Sequence, residues 1–190
     1  MGYSLARVFA AQGARVDLVS GPVGEKAGHP DITVYPVVSA SEMFEQTKVL
    51  FPGSDISIFA AAVADFTPAE PKPHKIKRTG LGHMLELKPV VDIAAAMGGM
   101  KRAGQVLAGF ALETDEGEDS AIRKMKSKNL DMIVLNSLKN KGSGFGTDTN
   151  RVTIFRKGNK RKDFELKAKD EVAEDIADEV FNLLNEIPDA

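Results

Sequence analysis

The chain has 190 residues, 43% hydrophobic and 27% charged, and its 25 Lys plus Arg against 27 Asp plus Glu leave a net charge of -2. That is the size and balance of one ordinary globular domain. It excludes a disordered chain and a whole-molecule field that would draw nucleic acid. There is no cysteine, which excludes disulfides, thiolate metal sites and a protein cysteine nucleophile; with no apolar run near the ~20 residues of a membrane helix and no signal-peptide pattern, a cytoplasmic protein with no membrane partner is expected.

The first segment places Leu5, Val8 and Phe9 on one helical stripe and stops at Gly13, a suitable left-handed cap. A short strand, ARVDLVS, follows it directly, so the chain opens like the second half of a β-α-β unit, with the first strand and turn not included. ITVYPVVSA reads as a strand, and Ser39 with Glu42 three residues on predicts a capping box for the helix SEMFEQTKVLF. DISIFAAAVA is nearly continuous in apolar residues, which predicts a central parallel strand buried on both faces.

The Pro-rich, basic stretch ADFTPAEPKPHKIKRTG predicts a long loop without regular structure, and long ordered loops are usually functional. Beyond it, HMLELKP reads as a short strand, VVDIAAAMGGM as a short helix ending at its paired glycines, and QVLAGFALET as a second buried strand. Glu118 to Leu130 reads as a helix with Ile122 and Met125 inward, and DMIVLN closes the parallel series. Gly158-Asn159 predicts a hairpin within RVTIFRKGNKRKDFELKAK, and the last helix should bury Val172, Ile176, Val180, Leu183 and Leu184.

Alternating strands and helices predict an α/β fold: a three-layer Rossmann-like sandwich with a mainly parallel sheet and an appended antiparallel hairpin. One domain over 1–190 is expected. Ligands of such folds bind beyond the carboxyl ends of the strands, which directs attention to Asp65, to Glu113 with Thr114, and to Asn136 with Ser137.

The small residues Ala61 and Ala62 before Asp65 let a ligand approach the backbone, although alanines packed under a turn-capping aspartate would read the same way. Lys72, Lys75, Lys77 and Arg78, with His74, gather cationic donors suited to phosphate in one loop, against the plain alternative of a solvated charge run. Lys124 and Lys128 share one helix face and could reach the same anion; Phe110 at a strand end could stack on a base, though its spacing favours core. His29, His74 and His83 show no metal-ligand spacing, no P-loop or serine-nucleophile motif is present, and no protein-held metal is expected. Magnesium bridging nucleotide phosphates needs few protein ligands. The residues themselves thus point to an anion or nucleotide site in a Rossmann-like domain, not to nucleic acid.

The strings LVSGPV (Leu18 to Val23), AAVADF (Ala61 to Phe66), KIKR (Lys75 to Arg78), GFALET (Gly109 to Thr114), KNLD (Lys128 to Asp131), Asn136 and GFGTDTN (Gly144 to Asn150) come in one order across nearly the whole chain. Together they resemble the phosphopantothenoylcysteine synthetase family of bacterial coenzyme A biosynthesis. The resemblance implies a ligase that joins 4'-phosphopantothenate to L-cysteine and cleaves CTP to CMP and pyrophosphate through an acyl-cytidylate, with Mg2+. It implies nucleotide binding by Ala61, Ala62, Asp65, Lys75, Phe110, Lys124 and Lys128, a catalytic Lys75, and phosphate or substrate contacts for Lys77, Arg78 and Asn136. It also implies a homodimer or higher homo-oligomer.

Two departures stand out: KIKR where the family commonly has KIKK, and KPVVDI where KPTPDI is common, which bears on the nucleotide contacts around Lys88. Family members begin with a further strand and an asparagine-bearing loop, of which Met1-Gly2 resembles the end. Many also carry an N-terminal flavin-dependent decarboxylase domain, absent from these residues, so FMN is expected only where that domain exists. Two other readings stay open: a noncatalytic nucleotide- or FMN-associated Rossmann-like module, and a Rossmann oxidoreductase, disfavoured because no GxGxxG joins a strand to a helix.

Overall fold

The computed structural model describes residues 1–72, 74–75, 84–113, 117–137 and 149–187. Helix α1 (Gly2–Ala11) leads through Gly13, at a φ of 90°, into β1 (Val16–Ser20), which pairs in parallel with β2 (Ile32–Pro36). Helix α2 (Ala40–Leu50) starts at Ser39, whose hydroxyl accepts the Glu42 N–H at 3.2 Å, while the Glu42 carboxylate accepts the Val38 N–H at 2.8 Å. The predicted capping box is therefore present, closed one residue earlier on the backbone.

The main sheet has five strands. β3 (Ile56–Phe59), β6 (Val106–Glu113) and β7 (Met132–Ser137) run parallel, and β9 (Val152–Arg156) and β10 (Lys160–Asp163) add the antiparallel hairpin, in the order β10-β9-β7-β6-β3. Gly158 and Asn159 both take positive φ at the hairpin tip, as their types allow. Between β3 and β6 the chain makes a separate antiparallel ribbon of β4 (Phe66–Pro68) and β5 (Leu87–Pro89), then α3 (Ile93–Met100). A second small antiparallel pair joins β8 (Thr149–Asn150) to β11 (Lys167–Ala168). Helices α4 (Gly117–Ser127) and α5 (Lys169–Asn185) complete the three layers.

Strand alternation sorts the core into two clusters, one on each sheet face. Val106, Ala108, Met132, Val134, Val152 and Ile154 meet α1 through Leu5 and Phe9, and α5 through Val172, Ile176 and Val180. Leu107, Ala111, Ile133, Leu135 and Phe155 meet α3 through Ile93 and Met97, and α4 through Ala121 and Met125. Leu183 and Leu184 are only half-buried against the first cluster.

Four expectations are corrected. The segment read wholly as loop starts with β4, because Phe66–Pro68 finds a cross-strand partner in Leu87–Pro89, nineteen or more residues away and invisible to local pattern. Helix α3 runs through Gly98 and Gly99 instead of ending there; Gly98 serves close packing, since a Cβ on it would collide with the Lys128 carbonyl oxygen. Helix α4 stops at Ser127 because Asn129 turns left-handed at a φ of 52°, held by its amide donating to the Gly98 carbonyl at 2.9 Å. β3 is half-buried and not central, because among the described residues it pairs only with β6.

The amino edge of the sheet is fixed by Asp131. Its carboxylate accepts hydrogen bonds from Lys101 Nζ, from the Leu107 N–H at 2.8 Å and from Lys157 Nζ at 2.9 Å. Burial pushes the Asp131 carboxyl up, but those three donors outweigh it and hold the group below the ordinary carboxylate range.

Two predictions follow from this packing. Gly98→Ala should cost about 1–3 kcal/mol through collision with a backbone carbonyl, whereas Gly99→Ala, with open space at its Cβ, should gain up to about 1 kcal/mol of helix propensity; urea unfolding of the two variants reads the contrast. Asp131→Asn should cost about 3 kcal/mol, because it leaves Lys101, 12% exposed, without its carboxylate. With a depressed folded pKa, the wild-type contribution is complete above the unfolded value of ~3.9 and fades as pH falls below it. The difference between wild type and Asp131→Asn should therefore shrink on titration from pH 7 towards pH 3.

Candidate functional site

The carboxyl edge of the parallel strands is where the polar residues gather. β3 ends at Phe59, opposite Gly109, and the chain leaves it as Ala60–Asp65 without regular structure, with Ala61, Ala62 and Asp65 exposed. β6 continues beyond that level, so that Phe110 stands opposite Val134 and Leu112 opposite Asn136. Phe110 packs half-buried against the cluster under α1 and α5, which agrees with the core reading while leaving part of the ring open to the edge. Asn136 presents a buried Oδ1 with no hydrogen-bond partner among the described residues. An unpaired buried acceptor is costly, and at a ligand edge it marks a place where a donor would be welcome.

The N-terminus of α1 lies at the same edge: a Cβ on Gly2 would be 4.0 Å from the Ala60 Cβ. Tyr3 donates its hydroxyl to Ser20 Oγ at 3.0 Å, which ties this helix start to the end of β1. The unpaired N–H groups of a helix start favour anions.

The segment Lys88–Asp92 joins the other parts. The Val90 N–H donates to the Asp65 carbonyl at 2.9 Å, fastening β5 to the exit of β3. Two residues later Asp92 caps α3, accepting the Ala95 N–H at 3.0 Å, and pairs with Lys128 Nζ at 2.8 Å. Burial raises the Asp92 carboxyl, but Lys128 and the Ala95 and Ala94 N–H groups hold it below its ordinary range. Asp65, Lys88 and Lys128 thus belong to one continuous frame. Lys124, exposed on α4, stands one turn before Lys128, whose N–H donates to the Lys124 carbonyl at 3.1 Å just past the helix end. The sequence singled out Asp65, Lys88 and Lys128 but not Asp92, whose partner Lys128 comes from beyond the end of α4.

In the basic loop, Lys75 and His74 are exposed, and Lys72 pairs with Glu70 at 3.1 Å. Lys72 and His74 line a hollow of about 320 Å³ with Pro68, Met84 and Leu85. Lys77, Arg78 and Thr114 lie outside the described residues, and of Glu113 and Ser137 only the strand backbone is described. Among the described residues no three His, Asp or Glu side chains gather to hold a metal, and no helix is long and apolar enough to cross a membrane.

Residues 1–184 match the family described as DNA/pantothenate metabolism flavoprotein C-terminal domain. The chain is 53% identical over 186 residues to a Cysteine/Cysteine sulfinic acid decarboxylase of an unknown prokaryotic organism, covering 97% of this chain and 52% of that protein. It is 44% identical over 183 residues to the Coenzyme A biosynthesis bifunctional protein CoaBC of Bacillus subtilis strain 168, covering 96% of this chain and 45% of that one. It thus spans about half the length of these relatives. Among solved structures, the C-terminal domain of a CoaBC protein superposes with a TM-score of 0.79 at 37% identity, over 97% of this chain and 84% of the other. A Cab2 mutant in complex with phosphopantothenate-cysteine, at 18% identity and a TM-score of 0.71 over 97% of this chain and 77% of that one, shares the fold.

The Asp92 cap gives a direct test. Asp92→Ala should lower stability by about 1 kcal/mol in urea unfolding, and Asp92→Asn by clearly less, because asparagine caps as well as aspartate and a partly exposed ion pair contributes little.

Proposed function

The chain belongs to the DNA/pantothenate metabolism flavoprotein C-terminal domain family, and from that premise we propose that it performs a ligase step of coenzyme A biosynthesis, joining 4'-phosphopantothenate to L-cysteine with CTP cleaved to CMP and pyrophosphate. The observation that carries the reading is the frame at the carboxyl edge, in which the Asp65–Val90 hydrogen bond and the Asp92–Lys128 ion pair bring three distant segments of the family pattern together.

In the proposed reaction a phosphopantothenate carboxylate oxygen attacks the α-phosphorus of CTP, and the bond to pyrophosphate breaks. The cysteine amine then attacks the acyl carbon of the acyl-cytidylate, CMP leaves, and the amine loses its proton. Both steps bring negative charges together, so fixed cations aimed at the reacting oxygens lower the barriers. Lys75 is assigned to the reacting carboxyl and α-phosphate, with Lys77 and Arg78 as further phosphate donors. Lys124 and Lys128 are assigned to the nucleotide, Ala61 and Ala62 to close backbone approach, and Phe110 to one ring contact. Asn136 Oδ1 is assigned as acceptor for a ligand N–H or O–H. Magnesium, when bound, would neutralise phosphate charge; such an ion keeps most of its waters, and the exposed Asp65 carboxylate fits the one or two protein ligands it takes.

A homodimer belongs to the same proposal. The β4–β5 ribbon carries Phe66 at 60% exposure and Leu87 at 52%, with Met84 and Leu85 exposed in the segment leading into β5, and an isolated two-stranded ribbon with apolar side chains outward needs a covering surface. A second reading is favoured by the name of the 53% identical relative, cysteine decarboxylation.

One assay on a full-length protein separates them. Pyrophosphate release should require CTP, phosphopantothenate and cysteine together, whereas a decarboxylase would release CO2 from cysteine alone. In that assay Lys75→Gln should reduce turnover on the order of a hundredfold with unchanged folding, while a merely solvated lysine would leave the rate at wild type.

A further inference from the structure

The β9–β10 hairpin at the edge of the main sheet carries a charge pattern that the carboxyl-edge site does not use. Side chains along these strands alternate between the two faces. Val152 and Ile154 belong to the cluster under α5, so Arg156 shares their face, and the register sets Lys160 directly opposite Arg156 and Lys162 opposite Ile154. Like charges placed directly across a ladder repel each other, so this face needs counter-charge. Two carboxylates of the α5 segment supply it. Glu179, 5% exposed, accepts hydrogen bonds from Arg156 Nη1 at 3.1 Å and from Lys162 Nζ at 2.8 Å. Glu186 accepts from Lys160 Nζ at 3.2 Å and stands 2.7 Å from Arg156 Nη2.

The two carboxylates are not equivalent. Glu179 is enclosed, whereas Glu186 is half exposed and sits at the C-cap of α5, the end at which a helix disfavours negative charge. Its contact with Nη2, though short, does not line up with an N–H bond: Nη2 and Nε of Arg156 are both buried with no hydrogen-bond acceptor among the described residues. Those two atoms form one edge of the guanidinium, the edge whose parallel N–H bonds receive two oxygens of a carboxylate or a phosphate. Arg156 is only 8% exposed, and leaving the donors of a buried charged group unmatched is costly. Against this side chain lies a hollow of about 210 Å³ that Lys160, Lys162, Glu179 and Ile154 also line. Arg161 reaches its rim but is already engaged by Asp163 and Glu118.

We propose that this hollow is a second anion site, for a small molecule bearing a phosphate group, and that Glu186 is its gate: the phosphate takes the Nε–Nη2 edge of Arg156 beside Lys160 and Lys162, and Glu186 swings out to solvent. The charges select the class of ligand. With Glu186 withdrawn, Arg156, Lys160 and Lys162 face Glu179 alone, a surplus of two positive charges that a phosphate dianion balances and a single carboxylate does not. The position separates this site from the candidate nucleotide site. Arg156 lies opposite Met132, the first residue of β7, at the amino end of the parallel strands, whereas Asn136 lies towards the other end, opposite Val152. The proposal rests on this geometry and not on the ligase reading.

The test is a titration of the protein with inorganic phosphate, with sodium chloride at matched ionic strength as reference, read by NMR at the Arg156 Nε–H, whose resonance is assigned by correlation to its own backbone amide. The resonance should shift saturably with phosphate and not with chloride. Glu186→Gln should bind phosphate about three- to fivefold more tightly, the range a partly exposed ion pair is worth, and Lys162→Gln should bind more weakly. Lys75→Gln should leave the Arg156 response unchanged, because phosphate held at the basic loop would not reach this residue. All three substituted side chains are exposed, so the fold is kept. Acetate should bind clearly more weakly than phosphate. Four results overturn the proposal: no saturable shift beyond that of chloride, Glu186→Gln binding no more tightly than wild type, a response lost in Lys75→Gln, or acetate binding as well as phosphate.

Discussion

The arrangement depends on one partly buried carboxylate at the amino edge of the sheet. Asp131 receives Lys101 from the end of α3, the Leu107 N–H from β6 and Lys157 from beyond β9, and its own backbone exchanges hydrogen bonds with Leu107 and Lys157. These bonds pin β6 against β7 and β7 against β9 at the level where the strands begin. In a sheet a slip of one residue turns every side chain to the other face. The register that Asp131 sets is thus what places Phe110 and Leu112 beside Val134 and Asn136 at the far edge, several residues downstream.

The opposite edge is built from weaker and more local fastenings. The Val90–Asp65 hydrogen bond holds the exit of β3 to the start of the α3 segment, and Asp92 serves at once as helix cap and as partner of Lys128. On the side of Asp131, Gly98 lets the Asn129 turn approach α3 closely enough for its amide to reach the Gly98 carbonyl, and from there the Lys128 side chain extends to Asp92.

Much of this could be read from residues in chain order. Ser39 with Glu42, Gly13 after an amphipathic helix, and Gly158-Asn159 between two strands each declare a local conformation, and each is found. The apolar runs of β6 and β7 declare buried strands for the same reason, since only strands covered on both faces are apolar throughout. The rule for ligand position in α/β sheets pointed to Asp65, Glu113 with Thr114 and Asn136 with Ser137 because it requires only the strand sequence, and the family strings added Ala61 and Phe110.

What sequence alone determined is therefore whatever depends on neighbours within about one turn or one strand: caps, hairpin tip, helical stripes, buried strands and the fold class they add up to. Tertiary structure alone decided the rest. β4 became a strand only through β5, and Gly98 was a packing residue rather than a helix end only because Lys128 lies against it. The DISIFAAAVA run ends half-buried because pairing in a sheet, not composition, determines which strand is central. Asp131 and Asp92 look like ordinary surface aspartates until their lysines arrive from other elements. A hydrogen bond or ion pair between residues far apart in the chain leaves no periodic trace, and only the folded chain brings its two ends within reach.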